Sequence, residues 1–173
     1  FNKGIMSPDA TYPSIYSTAK YGNEGNGLSW SIQKADTAVG KRPALVSLPV
    51  EDVSRVMLSF MLKTTSSTAN PSALAIGYAT NVSCVDSMVA TLQYVDTVYP
   101  AISSQNWVEC VVNMKDAEKK TAHLVLQQLY GGTSTSASLY MDDLKIELTP
   151  TCFVPTFRFR RSLRFFTPAT LTL

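Results

Sequence analysis

Apolar side chains in this chain recur at every second position, in runs too short for helices, and each run ends in a cluster of Gly, Pro, Asn or Ser. A period of two is the signature of a strand with one buried face. Leu28, Trp30 and Ile32 alternate with Ser29 and Ser31, and Leu58, Phe60 and Leu62 form a second alternating set. Leu45, Val46 and Leu48 run into Pro49; Leu74, Ile76 and Tyr78 flank Gly77, a position that suits close approach of backbone or ligand. Residues 89–98 are rich in β-branched types and read as a strand, as do Trp107, Cys110, Val112 and Met114, then Leu124, Leu126 and Leu129. Residues 64–70 read as a loop, 116–120 as a charged turn, and 131–138 as a flexible turn before a closing strand over 139–148. About eight or nine strands at this spacing predict an all-β sandwich of two antiparallel sheets.

Size and composition fit one such domain. The 173 residues are 45% hydrophobic, enough for one well-filled core. Only 16% are charged, against about 25% in an average soluble protein. Ser and Thr fill much of the difference, a balance that suits an extracellular sandwich better than a cytosolic helical enzyme. No run approaches the roughly 18 apolar residues of a membrane-spanning helix, so membrane insertion is not expected. The net charge of +2 hides an asymmetry: residues 151–173 carry Arg158, Arg160, Arg161 and Arg164 and no acid, leaving 11 basic against 13 acidic residues, −2, elsewhere. These arginines alternate with Phe157, Phe159, Leu163 and Phe165, which reads as a strand with one charged face and not as a nucleic-acid-binding arm. Pro150 and Pro155 break the pattern after the closing strand, so 1–148 is expected to be the domain and 149–173 a linker leading into a further strand. The chain opens on Phe1 without a charged n-region or an apolar h-region, so a secretion signal is expected to have been removed or to lie upstream.

Catalytic devices are not legible. Glycosidases of sandwich shape need two carboxylates facing one cleft, and no E-x-D-x-E run is present. Asp142 and Asp143 are adjacent, so in a regular strand they point to opposite faces. His123, the single histidine, reads as a plain strand position without a nucleophile motif beside it. Cys84, Cys110 and Cys152 form no zinc pattern. Cys110 is expected to be a buried thiol; Cys84, in a polar loop, and Cys152, in the linker, are in a position to pair. Sugar recognition by a sandwich rests on exposed rings that stack on pyranose faces. Trp30 and Trp107 read as core residues of their strands. Tyr94 and Tyr99 are the rings expected to reach solvent and touch a ligand.

The order of segments resembles the MAM-like, or cleaved-adhesin, jelly rolls of large surface proteins of anaerobic Gram-negative bacteria. The marks are Phe1, GLSWSI, ALVSLP, VMLSFMLK, LAIGYAT, TLQYVDTV, WVECVVNM and LYMDDLKIE, spanning residues 1 to about 148. PTCFVPT and PATLTL in the tail resemble the opening strand of a fibronectin type III domain, truncated after that strand. The resemblance implies a jelly roll of concanavalin or galactose-binding type, taken from a secreted, multidomain protein of the bacterial cell surface. It implies a non-catalytic binding or adhesion module for a glycan or a host-surface protein, with a ligand-free spacer between neighbouring domains as the alternative and a glycoside hydrolase as the least favoured. It also implies a structural Ca²⁺ held by Asp142 with an early residue, here Asn2 where a carboxylate is usual. The other reading of the aspartates is that they satisfy backbone donors at a turn.

Overall fold

In the computed structural model the residues described are 5–6, 15–18, 27–33, 42, 44–64, 73–99, 106–129 and 136–150. They form ten strands: β1 (Ile5–Met6), β2 (Ile15–Thr18), β3 (Gly27–Gln33), β4 (Ala44–Val50), β5 (Val56–Thr64), β6 (Ala73–Ala79), β7 (Gln93–Val98), β8 (Val108–Asn113), β9 (Ala122–Leu129) and β10 (Ser136–Leu148). One α-helix, α1 (Val85–Thr91), and a short 3-10 turn over Val53–Arg55 join them. The strands pair in two five-stranded sheets. The first has the order β1-β4-β9-β6-β7 and the second β2-β3-β10-β5-β8. Every pairing among them is antiparallel. The all-β sandwich of two antiparallel sheets read from the alternation is the fold observed.

The alternation also says where the core lies. Along β5, Val56, Leu58, Phe60 and Leu62 are buried while Met57, Ser59, Met61 and Lys63 are partly open. The first four meet Leu74, Ile76 and Tyr78 of β6, Leu124 and Leu126 of β9, and Leu139 and Met141 of β10 between the sheets. Each large aliphatic side chain so buried contributes about 1.5–3 kcal/mol. On β6 the opposite face carries Ala73, Ala75, Gly77 and Ala79, small residues that admit a second layer close to the first sheet. At one end that layer is α1, whose Met88 packs with Ala44, Val46, Ala79 and Val125. Among the described residues no helix is long and apolar enough to cross a membrane.

Three bulges break the ladders. In β4 the register shifts between Val46 and Pro49, which lets a residue without an N–H sit inside a strand. Ser47 repairs the gap: its Oγ accepts from the Leu124 N–H and its carbonyl lies 2.9 Å from His123 Nδ1. The second bulge lies between Ile76 and Gly77 in the β6–β7 pair, and the third between Asp142 and Lys145 in the β10–β5 pair.

Several expectations need correction. Residues 85–91 are helical, so the strand expected over 89–98 begins at Gln93. Cys84 caps that helix, its sulfur accepting from the Ser87 N–H. β10 begins at Ser136, inside the turn expected over 131–138. Cys110 takes the inward register of β8 and packs against the core, but it is only half-buried because β8 is an edge strand. Asp142 and Asp143 do not follow strand alternation, since Asp143 has φ 53° within the third bulge. β10 ends at Leu148. Thr149 comes next, its N–H and Oγ1 both donating to the Arg55 carbonyl while the Arg55 guanidinium donates back to the Thr149 carbonyl. Residues 151–173, with Cys152 and the arginine-rich tail, lie outside the described residues, as do Phe1 and Asn2.

Candidate functional site

Tyr94 and Tyr99 stand five residues apart, and in an unbroken strand they would face opposite ways. The second bulge breaks that alternation. The register pairs Gly77 with Tyr94 and Ala75 with Thr97, so positions two apart on β6 face positions three apart on β7. Val95 and Val98 both pack into the core, leaving Tyr94 and Thr97 on the outer face of the first sheet. Tyr99 follows Val98, the last residue of β7. Both rings are open to solvent at this rim, Tyr94 40% and Tyr99 68% exposed.

Gly77 makes the bulge possible. A Cβ built on it would lie 2.2 Å from the Gln93 carbonyl oxygen and 2.9 Å from Tyr94 Cα. The close approach read from the sequence is therefore one of backbone to backbone. The Tyr94 ring then leans across β6, over the small residues of that strand, and its hydroxyl donates to Gln127 Oε1 on β9 at 2.6 Å. Gln127 is buried and donates its Nε2 to the Arg42 carbonyl. Burial raises the Tyr94 pKa, and the nearby Arg42 guanidinium opposes the shift. The phenol is thus neutral at physiological pH, and with its hydroxyl held, the ring offers a fixed apolar face. On the same face Thr97 is half-exposed, while Gln93, whose Oε1 accepts from the Tyr78 hydroxyl, and Asp96, whose Oδ1 accepts from the Thr97 N–H, stand in register with the inward residues Tyr78 and Ile76.

The outer face of the second sheet holds a feature missed in the sequence. Trp107 does not enter the core. It directly precedes β8 and is half-exposed, with the Lys63 ammonium 5.9 Å from its ring centroid. Across the register from Lys63 lies Tyr140, which is buried, and the next rows place Asp142, Met61 and Glu109, then Lys145, Ser59 and Val111, on the same face. Parity carries the missing signal: Trp107 is an odd number of residues from Cys110 and Val112, which face inward. Trp30 stands opposite the core residue Leu139 in the register, and its side chain lies outside the described residues.

Within the aspartate pair, Asp142 Oδ1 accepts from the Asp143 N–H at 2.9 Å. Among the described residues no three His, Cys, Asp or Glu side chains come together to hold a metal ion. Asn2, the partner expected for Asp142, lies outside the described residues.

No protein-family model and no curated protein sequence matches the chain. Solved structures do. A carbohydrate-binding module of the β-sandwich superfamily, described for promiscuous specificity, superposes with a TM-score of 0.52 at 12% identity over 77% of this chain. This chain spans 52% of that one, about half its length. A family 30 carbohydrate-binding module gives a TM-score of 0.51 at 14% identity, covering 84% of this chain and 91% of that one. The K3 cleaved adhesin domain of Lys-gingipain from Porphyromonas gingivalis gives 0.46 at 13% identity over 72% and 75%. The protein has the jelly-roll β-sandwich fold of carbohydrate-binding modules. At such identities the likeness is one of fold.

Proposed function

We propose that this protein is a non-catalytic, extracellular binding or adhesion module for a glycan or a host-surface protein, and that glycan is the ligand its β7 rim suits. The observation that carries this reading is the pair of exposed rings, Tyr94 on β7 and Tyr99 directly after it. Rings present an apolar surface to the C–H face of a sugar, while the half-exposed Thr97 can take a hydroxyl. A protein partner would ask for a contiguous apolar centre, and here a threonine separates the rings. The non-catalytic reading is supported by His123, whose Nδ1 is engaged with the Ser47 carbonyl at the β4 bulge. In this reading the module belongs to a secreted surface protein of the cleaved-adhesin kind, with residues 149–173 leading toward a fibronectin type III-like neighbour. A structural calcium at Asp142 would draw its remaining ligands from outside the described residues.

A glycan array probed with the full chain tests the function. Binding to at least one glycan class, lost or weakened in Tyr94→Ala and Tyr99→Ala, is the expected result. Variants that bind every recognised glycan as the parent does would overturn the assignment to this rim.

A further inference from the structure

We infer that the open edge of β8 is a docking strip for this chain's own tail, with residues 156–160 (TFRFR) added to the second sheet as a further antiparallel strand. β8 is the last strand in the order of its sheet and, among the described residues, pairs with β5 alone. The Met114 N–H donates to the Val56 carbonyl at 2.9 Å, in the same register that sets Met57 opposite Asn113. In an antiparallel ladder, residues that bond to one neighbour alternate with residues that bond the other way. Val108, Cys110 and Val112 therefore direct their backbone groups to β5, and Glu109, Val111 and Asn113 direct theirs to the open side. Along the same strand Val108 is 37% and Val111 59% exposed. An edge that offers backbone hydrogen bonds and apolar side chains together is a template for one more strand.

The path of the chain beyond β10 selects the occupant. Val56 lies between Leu148 of β10 and Met114 at the end of β8, so the chain leaves the sandwich at the end where an antiparallel neighbour of β8 has to start. Three strand spacings, about 14 Å, separate β10 from a strand laid beyond β8. The six residues 150–155 span up to about 20 Å. The tail then alternates Phe157 and Phe159 with Arg158 and Arg160. β8 alternates in the same way, Cys110 and Val112 packing inward while Glu109 and Val111 are exposed. With Phe157 opposite Cys110 and Phe159 opposite Val108, Arg158 falls opposite Glu109. Pro155 then falls opposite Val112, at a position whose N–H would point away from β8, where a ladder accepts proline. Sliding the segment so that Phe159 meets Cys110 would turn Arg161 inward against Val108, and the opposite slide takes Arg158 off Glu109. Charge favours the contact, since residues 151–173 carry four arginines and no acid and the rest of the chain a net −2. PATLTL lies beyond the docked segment, so a neighbouring domain would follow from a strand fixed to this sandwich.

Disulfide trapping in the full chain tests the inference. With Cys84→Ser and Cys152→Ser in place, Phe157→Cys would put a thiol directly opposite Cys110, at a pair whose Cα atoms lie about 4.5 Å apart and so within disulfide reach. Oxidation with diamide should close an intramolecular bridge to Cys110 in most of the protein, read by peptide mapping. Arg158→Cys in the same background presents its thiol to the other face and should form little of that bridge. Without any added cysteine, Glu109→Lys and Arg158→Glu should each speed maleimide labelling of Cys110 about threefold or more by opening the strip, and the two together should return the rate toward the parent's. A parent-like far-ultraviolet circular dichroism spectrum in these variants separates undocking from unfolding. Equal bridging from Phe157→Cys and Arg158→Cys, or a labelling rate that neither reversal changes, would overturn the inference. Bridges formed mainly between molecules would overturn it as well, because they would put a second copy of the chain on the edge.

Discussion

Tyr94 and Gln127 are joined by a hydrogen bond that passes over an intervening strand, from β7 across β6 to β9. The span is open because β6 presents only Ala75 and Gly77 there. Gln127→Leu would leave the phenol without this acceptor, and the cost should be about 1 kcal/mol, read as a fall in thermal midpoint.

The same phenol should titrate late. Burial raises its pKa above the ordinary tyrosine value of about 10, with Arg42 acting against the shift. The folded state therefore holds its proton more tightly than the unfolded chain. Stability from this group is complete below about pH 10 and declines as pH rises through the folded pKa. Ultraviolet titration of the parent against Tyr94→Phe should show one of the eight tyrosines ionising above the ordinary range; a difference curve centred at or below it would contradict the burial.

Gly77→Ala tests how the rim is built. Its Cβ would meet the backbone of Gln93 and Tyr94, which cannot swing aside as a side-chain tip can. Stability should fall by about 1–3 kcal/mol, and glycan affinity should fall with it although neither tyrosine has changed. Retained affinity together with lost stability would show that Tyr94 keeps its place without the close approach.

The two described thiols should separate by reactivity. Cys84 is exposed, and hydrogen bonds from Ser87, first its hydroxyl and then its N–H, lower its pKa. Cys110 is half-buried, and burial, then Glu109, raise its pKa. Thiolate is the reactive form, so a maleimide at neutral pH should modify Cys84 well before Cys110. Mass spectrometry of a labelling time course reads this directly; faster modification of Cys110 would place it outside the register described.

Asp143 occupies left-handed backbone space at φ 53°, where a residue with a Cβ and no local hydrogen-bonding group is strained by roughly 1–2 kcal/mol. Asp143→Gly should be tolerated and Asp143→Ala should destabilise by about 1 kcal/mol. Chemical denaturation of the two variants checks the order, and equal midpoints would remove the bulge conformation as its cause.

How much of the fold is legible in the sequence depends on the range of the interactions involved. Leu58, Phe60 and Leu62 announce an inner face because burial of one sheet face is written at period two, and that signal is local. The helix over 85–91 is hidden because it spans only two turns, contains Val85, Val89 and Thr91, and is capped by a cysteine, which is not a usual cap. Tyr94 and Tyr99 are legible as exposed rings, from polar or Pro neighbours. The placing of Tyr94 over β6 is not, because it depends on a bulge opposite Gly77, on the neighbouring strand. Trp107 reads as core only when the strand is started one residue early; counting parity back from Cys110 sends it outward.

Thr149 and Arg55 grip each other at the point where β10 ends. β10 runs through the middle of the second sheet, hydrogen-bonded to β3 on one side and to β5 on the other. A pull that reaches this clasp along the polypeptide would load it and then shear two ladders at once, since the strand cannot peel from an edge one bond at a time. Under flow or traction the sandwich would hold from that end as a riveted joint holds, and the edge strand β7 would bear little of the tension.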